Sequence, residues 1–380
     1  MMQASMVGGG SEKKFSLLNF GLILLVSFSG AFIIDWTISP IYPISGVAYL
    51  LLTILFFKDG RIKLLGPTAI PLLLLILWQF ISLINDSSIN SWIRITMSLF
   101  SFFFITAFQD RISIRMIQIL IRSFLGINAA FIILETAIRI LFPDLDHLKG
   151  INPMSAGSLW FYVYKMNSIL YLDSNFTAIQ VLSGLSLAVF ARMFFRGFSS
   201  FWMILFYILL ILTLSRATIL AGTMVLLFLL VPRKYRLFSA LMAIVGGIIT
   251  LLYFQNDPSF HTKFEIFSLT WNYLKDATPF QIIFGAGWSR AVEHLGMGAH
   301  TLISTYLIEG GSIFFILMTW FWLANIKASR KWSLLLLIPF WIAGLSFAFT
   351  APFVFVVLAL IQVSVYQKEE HSELYTRILN

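Results

Sequence analysis

The chain has 380 residues, of which 59% are hydrophobic and only 11% charged. That is more apolar surface than a water-facing globule of this length can bury, so lipid has to act as the solvent. A net charge of +9 would point to nucleic acid in a soluble protein, but here the positions of the cations fit a membrane, and no nucleic-acid partner is expected. With no cysteine, disulfides, thiolate metal sites and a cysteine nucleophile are excluded.

Residues 1–16 read as a cytoplasmic tail. Beyond them come runs of roughly 17 to 25 mostly apolar residues, each long enough as a helix to cross about 30 Å of hydrocarbon. They predict helices near 17–34, 41–57, 66–84, 93–108, 117–142, 174–191, 200–214, 216–231, 237–253, 300–326, 333–348 and 351–366. The expectation is therefore an all-α integral membrane protein of about 12 transmembrane helices, one polytopic domain over 17–366, with a cytoplasmic tail at 367–380. Only Leu214, Ser215 and Arg216 separate the seventh span from the eighth, so eleven spans also fit. The first run is long and lacks a small-residue cleavage site, which makes it a helix rather than a removed signal peptide.

The basic residues alternate with the loops. Lys13 and Lys14, Lys58 to Lys63, Arg111 and Arg115, Arg192 and Arg196, Arg233 to Arg236, Lys327 to Lys331, and Lys368 and Arg377 fall on one side, which predicts both termini in the cytoplasm. Arg122 lies near the cytoplasmic end of its helix. Eight cations remain for the opposite margin: Arg94, Arg139, Lys149, Lys165, Arg216, Lys263, Lys275 and Arg290.

Cytoplasmic connections are short, whereas the extracytoplasmic loops 143–173 and 254–299 are long, so a site larger than a helix-lined cavity has to be built there. The first loop carries Trp160, Phe161, Tyr162, Tyr164 and Tyr171, read as an interfacial aromatic belt in preference to sugar-stacking residues. Asp173, Ser174 and Asn175 read as N-capping residues of the next helix. Glu135 and Arg139, four apart on a helix, are expected to neutralise each other. In the second loop, Asp257 and Pro258 open a helix on which Phe260, Phe264, Phe267, Trp271 and Leu274 recur at helical steps. This is an amphipathic helix, lying along the outer interface or capping the bundle.

Chemistry concentrates in three residues. Arg216 is held in an otherwise apolar hairpin, and burying it is costly unless an anion pairs with it. Arg290 follows Gly285, Ala286 and Gly287, where backbone amides can approach an anion closely and a guanidinium supplies a bidentate phosphate partner. His300, a titratable base, stands at the start of the next membrane helix. Glu309 lies nine residues further on, about 180° round a continuous helix, and so outside the site; Glu309, Gly310 and Gly311 instead read as a kink or close helix contact.

The stretch FGAGWSRAVEHLGMGAHTLISTYLIEGG, residues 284–311, with LTLSRATILAG, residues 212–222, resembles the O-antigen ligase and Wzy-type polysaccharide polymerase superfamily. Members typically place Asn after the histidine, where this chain has Thr301. The resemblance implies a GT-C-like bundle in a bacterial inner membrane, with its active site facing the periplasm. It also implies an inverting glycosyltransferase needing neither metal nor cofactor, with His300 as base and Arg216 and Arg290 gripping the pyrophosphate of an undecaprenyl-pyrophosphate-linked glycan donor. The acceptor would be a second lipid-linked glycan, and a chain-length regulator protein is a further partner of this class. A polymerase is preferred to a ligase that transfers glycan to lipid A core.

Two other readings compete. A polyprenyl-phosphate-sugar transferase would use Asp144 and Asp146 to hold a divalent metal, although a solvated turn after Pro143 is the simpler account. A transporter or lipid-linked-sugar flippase would place charges near the bilayer midplane and show related halves, neither of which the sequence displays.

Overall fold

The computed structural model of the protein describes residues 16–34, 36–59, 66–85, 87–143, 163–165, 167–171, 174–230, 233–235, 258–345 and 350–379. The regular structure of these residues is helical, with no strand among them. In chain order the helices are α1 (Leu17–Ser27), α2 (Ile41–Asp59), α3 (Ala69–Ser82), α4 (Ile89–Ala107), α5 (Ile114–Leu141), α6 (Ser174–Phe194), α7 (Phe201–Leu212) and α8 (Arg216–Leu230). They continue as α9 (Pro258–Asp276), α10 (Pro279–Phe284), α11 (Ala291–Leu295), α12 (Leu302–Ile308), α13 (Gly311–Ala328), α14 (Leu334–Gly344) and α15 (Pro352–Leu379).

Among the described residues, α2, α4, α5, α6, α13 and the first 19 residues of α15 are long and apolar enough to cross a membrane, and five shorter apolar helices stand beside them. Hydrocarbon leaves backbone polar groups no water to bond, and a helix satisfies them internally, so this is the architecture of a helical membrane protein. The expected span at 237–253 lies outside the described residues, as do Asp144 and Asp146.

Helices α6 and α15 form the axis of the bundle: 83% of each membrane-length window is buried, against 22% for α2 at the periphery. Two apolar surfaces in lipid gain little from meeting each other, so small polar groups help to fix the packing. Gln180 of α6 donates to Asn128 Oδ1 of α5 at 2.6 Å and to the Gly30 carbonyl at 3.1 Å, while Asn128 donates to the Ser27 carbonyl. Gln362 of α15 similarly accepts from Asn325 of α13 and donates to Thr68 Oγ1. Glu135 and Arg139 pair as the spacing predicts, at 2.8 Å and with both side chains fully buried. Arg139 also donates to the backbone carbonyls of Tyr164 and Leu212, tying the end of α5 to the end of α7.

Three expectations are corrected. The helix expected over 300–326 is two helices, α12 and α13, broken at Glu309 and Gly310, where the sequence reads as a kink or close helix contact. The last helix runs through the expected tail to Leu379, because nothing between 367 and 379 interrupts a helix: the segment has neither proline nor glycine. Tyr171 belongs to no aromatic belt; it is buried and stacks on Phe32 at 5.4 Å.

Candidate functional site

The end of the bundle where α4, α6 and α8 begin holds its most unusual polar groups. Arg216 opens α8 half-buried, directly after the buried Ser215 and two residues after Leu214, whose φ of 58° is left-handed. The turn is fixed from both sides: Ser174 Oγ at the start of α6 donates to the Thr213 carbonyl at 2.7 Å, and Arg139 reaches the Leu212 carbonyl at 2.8 Å. Leu214 therefore holds a backbone conformation that a branched side chain rarely adopts, and that conformation sets where Arg216 begins its helix.

Arg290 is presented by a different device. After α10, the chain makes a turn through Gly285 to Ser289 that lies against the break between α12 and α13. Ala286 and Gly287 donate their backbone N–H groups to the carbonyls of Ile308 (2.7 Å) and Glu309 (3.1 Å). Gly285 and Gly311 have φ of 82° and 76°, and a Cβ on Gly285 would come within 2.3 Å of the Glu309 carbonyl oxygen. Only glycine allows this approach. Trp288 is buried beneath the turn, donating to Gln79 and Ser82 of α3, and its carbonyl accepts from Ser88. Ser289 is left-handed at φ 64° and exchanges a 2.6 Å hydrogen bond with Ser91 of α4. Arg290 follows it, with its side chain 30% exposed and ion-paired to Glu293.

Glu309, set outside the site by the helix-face reasoning, turns out to organise it. Its carboxylate accepts from the backbone N–H groups of Ser289 and Ala291, the two neighbours of Arg290. Burial pushes this carboxyl above the ordinary carboxylate range, against the pull of those two amides and of Arg94. Arg94 of α4 is the second residue that the sequence undervalued. It donates to Ser91 Oγ at 3.4 Å, and it lines a small pocket together with Phe32, Tyr42, Met97, Tyr171 and Pro352. Burial also raises the Tyr171 hydroxyl, which Arg94 opposes, so this hydroxyl stays protonated and able to donate at neutral pH.

His300 is exposed and lies in the turn before α12, folded back over Gly298 so closely that a Cβ there would sit 2.9 Å from Nε2. Thr301 caps α12: its hydroxyl accepts from the Ser304 N–H and donates to Ser304 Oγ.

Arg216, Arg290 and His300 stand on three different segments: the start of α8, the turn before α11 and the turn before α12. The Glu309 carboxylate ties the turn bearing Arg290 to the α12–α13 break and lies in the field of Arg94, which also acts on Tyr171. The helix that follows His300 packs on α14, where Gly344 lies against Leu302, and α14 packs on α8. Arg139 and Arg290 are ion-paired to Glu135 and Glu293, and Glu309 lies in the field of Arg94. No three His, Asp or Glu side chains gather as a metal-ligand set among the described residues.

The signal for Arg94 was present in the sequence, as an arginine inside an apolar helix. Glu309 gave the opposite signal, because the angular reasoning assumed a continuous helix that the structure breaks. Compared with known proteins, the chain matches no protein-family model and no curated protein.

Proposed function

We propose that this protein is a glycosyltransferase of about twelve spans that joins undecaprenyl-pyrophosphate-linked oligosaccharide repeat units at the extracytoplasmic face of a bacterial inner membrane. The observation that supports the reading is the set of residues just described. Two half-buried arginines, each closely preceded by a left-handed residue, and one exposed imidazole stand at or just before the starts of α8, α11 and α12. Backbone strain held in place by surrounding hydrogen bonds is a mark of functional sites.

In this reading an acceptor sugar hydroxyl gives its proton to His300 as its oxygen attacks the anomeric carbon of the donor. The bond from that carbon to the pyrophosphate oxygen breaks, and its electron pair leaves with the undecaprenyl pyrophosphate. Charge grows on the departing group, so Arg216 and Arg290 bind the transition state more tightly than the donor. Attack from the opposite face inverts the anomeric centre.

The test is the full-length protein in lipid vesicles with an undecaprenyl-pyrophosphate-linked repeat. Longer glycans and free undecaprenyl pyrophosphate are expected, and Arg216→Ala, Arg290→Ala and His300→Ala should each lower the rate by about a hundredfold or more. Near-normal polymer from all three variants would overturn the assignment. Uptake of the lipid-linked repeat across the vesicle membrane without elongation would favour a flippase.

A further inference from the structure

Helix α9 has three faces rather than two. Advancing ~100° per residue, its inner side carries Ile266, Leu269, Thr270 and Tyr273, of which Ile266 and Thr270 are buried. This side packs on α11 and α12, against Ala291, Leu295, Ala299 and Ile308, and Thr270 donates to Ser304 at 2.9 Å. On one flank stand Phe264, Phe267 and Trp271, which are 62%, 39% and 62% exposed. On the other flank are the exposed Glu265, Ser268 and Asn272. Lys275 lies between the two flanks, with its ammonium 5.4 Å from the centre of the Trp271 ring.

Phe264, Phe267 and Trp271 of the aromatic stripe therefore turn away from the segment on which α9 packs. We infer that this flank rests in the outer leaflet: Phe264, Phe267 and Trp271 lie against phospholipid acyl chains, and Lys275 meets the phosphate level. Three observations favour lipid as the occupant over a second protein. A helix bridging two proteins needs no water-facing strip, whereas one at a membrane boundary requires protein, lipid and water sides in that order, as α9 has them. Apolar exposure also recurs on the neighbouring helices. Phe280 and Ile283 of α10 are exposed, α10 packs on α13, and α13 turns Ile316, Trp320 and Leu323 outward along its membrane-length surface. Finally, a lysine beside an outward tryptophan matches the charge and polarity of a headgroup layer.

The consequence concerns depth. The inner side of α9 holds the segment that carries Arg290 and His300, so seating the aromatic flank sets how far below the water boundary those two residues lie. The inference stands whether or not a glycan is ever formed.

A chain without cysteine makes the test direct. Phe264→Cys, Trp271→Cys, Ser268→Cys and Asn272→Cys in the full-length protein each receive a nitroxide label in phospholipid vesicles. Collision rates are then read with oxygen, which partitions into lipid, and with a water-soluble nickel chelate. Labels at 264 and 271 are expected to show a severalfold higher oxygen-to-nickel ratio than labels at 268 and 272. Equal nickel access at all four positions would overturn the inference, and so would protection of 264 and 271 from both reagents, since protein would then cover them. If Trp271→Cys fails to insert, Phe267→Cys takes its place. Quenching of the unmodified protein's tryptophans by brominated lipid provides a reading without substitution, and no quenching beyond that of a variant carrying Trp271→Phe would count against the seat.

Discussion

Glu309 holds the turn that bears Arg290 through both its side chain and its backbone. Its side chain accepts from the amides on both sides of Arg290, and its carbonyl accepts from Gly287. Removing it strands two backbone donors in a buried turn, at roughly 1–3 kcal/mol for each group left unsatisfied. Glu309→Ala should therefore lower the melting temperature of the detergent-solubilised protein and weaken binding of a pyrophosphate lipid. Glu309→Gln keeps an acceptor oxygen and, because burial already raises this carboxyl, should restore most of the melting temperature. Equal losses from Ala and Gln would show that the charge facing Arg94, rather than the amide contacts, matters. Gly311→Ala tests the same turn from the other side: its Cβ would meet the Ile283 carbonyl at 2.4 Å and a φ of 76°, so a loss on the order of 2 kcal/mol is expected in denaturation.

At the scale of elements, the buried Glu135 and Arg139 pair decides how α5 meets α7. Breaking a buried pair leaves one charge unmatched, at a cost of about 3–5 kcal/mol. Glu135→Ala should accordingly destabilise more than the double change to Glu135→Leu and Arg139→Met, as read by thermal unfolding in detergent. A double variant as unstable as the single one would assign the stability to the bonds from Arg139 to the Tyr164 and Leu212 carbonyls. The short helices α10 to α12 have another origin. Thr278 and Gln281 form a capping box at the start of α10, left-handed Gly296 ends α11 and Thr301 caps α12. Each cap and stop could be read locally, but the pairing of this segment with the α12–α13 break could not. That pairing joins residues more than twenty positions apart.

Across the whole molecule, α6 and α15 are buried nearly all round while α2, α3 and α13 turn apolar side chains outward, so the axis is set by protein contacts and the periphery by lipid. The apolar runs were legible in the sequence because a membrane-crossing helix needs only length and hydropathy, properties each segment carries by itself. The pairing of Glu135 with Arg139 was legible for the same local reason. What only the tertiary structure decided was which distant residues share a surface. It turned Phe264, Phe267 and Trp271 of α9 outward, buried Tyr171 against Phe32, brought Arg94 of α4 towards Glu309, and broke the chain at Glu309 into two helices. Hydrophobic periodicity is a property of one segment, whereas such contacts depend on how many segments pack together, and packing in lipid is directed by a few small and polar groups scattered along the chain.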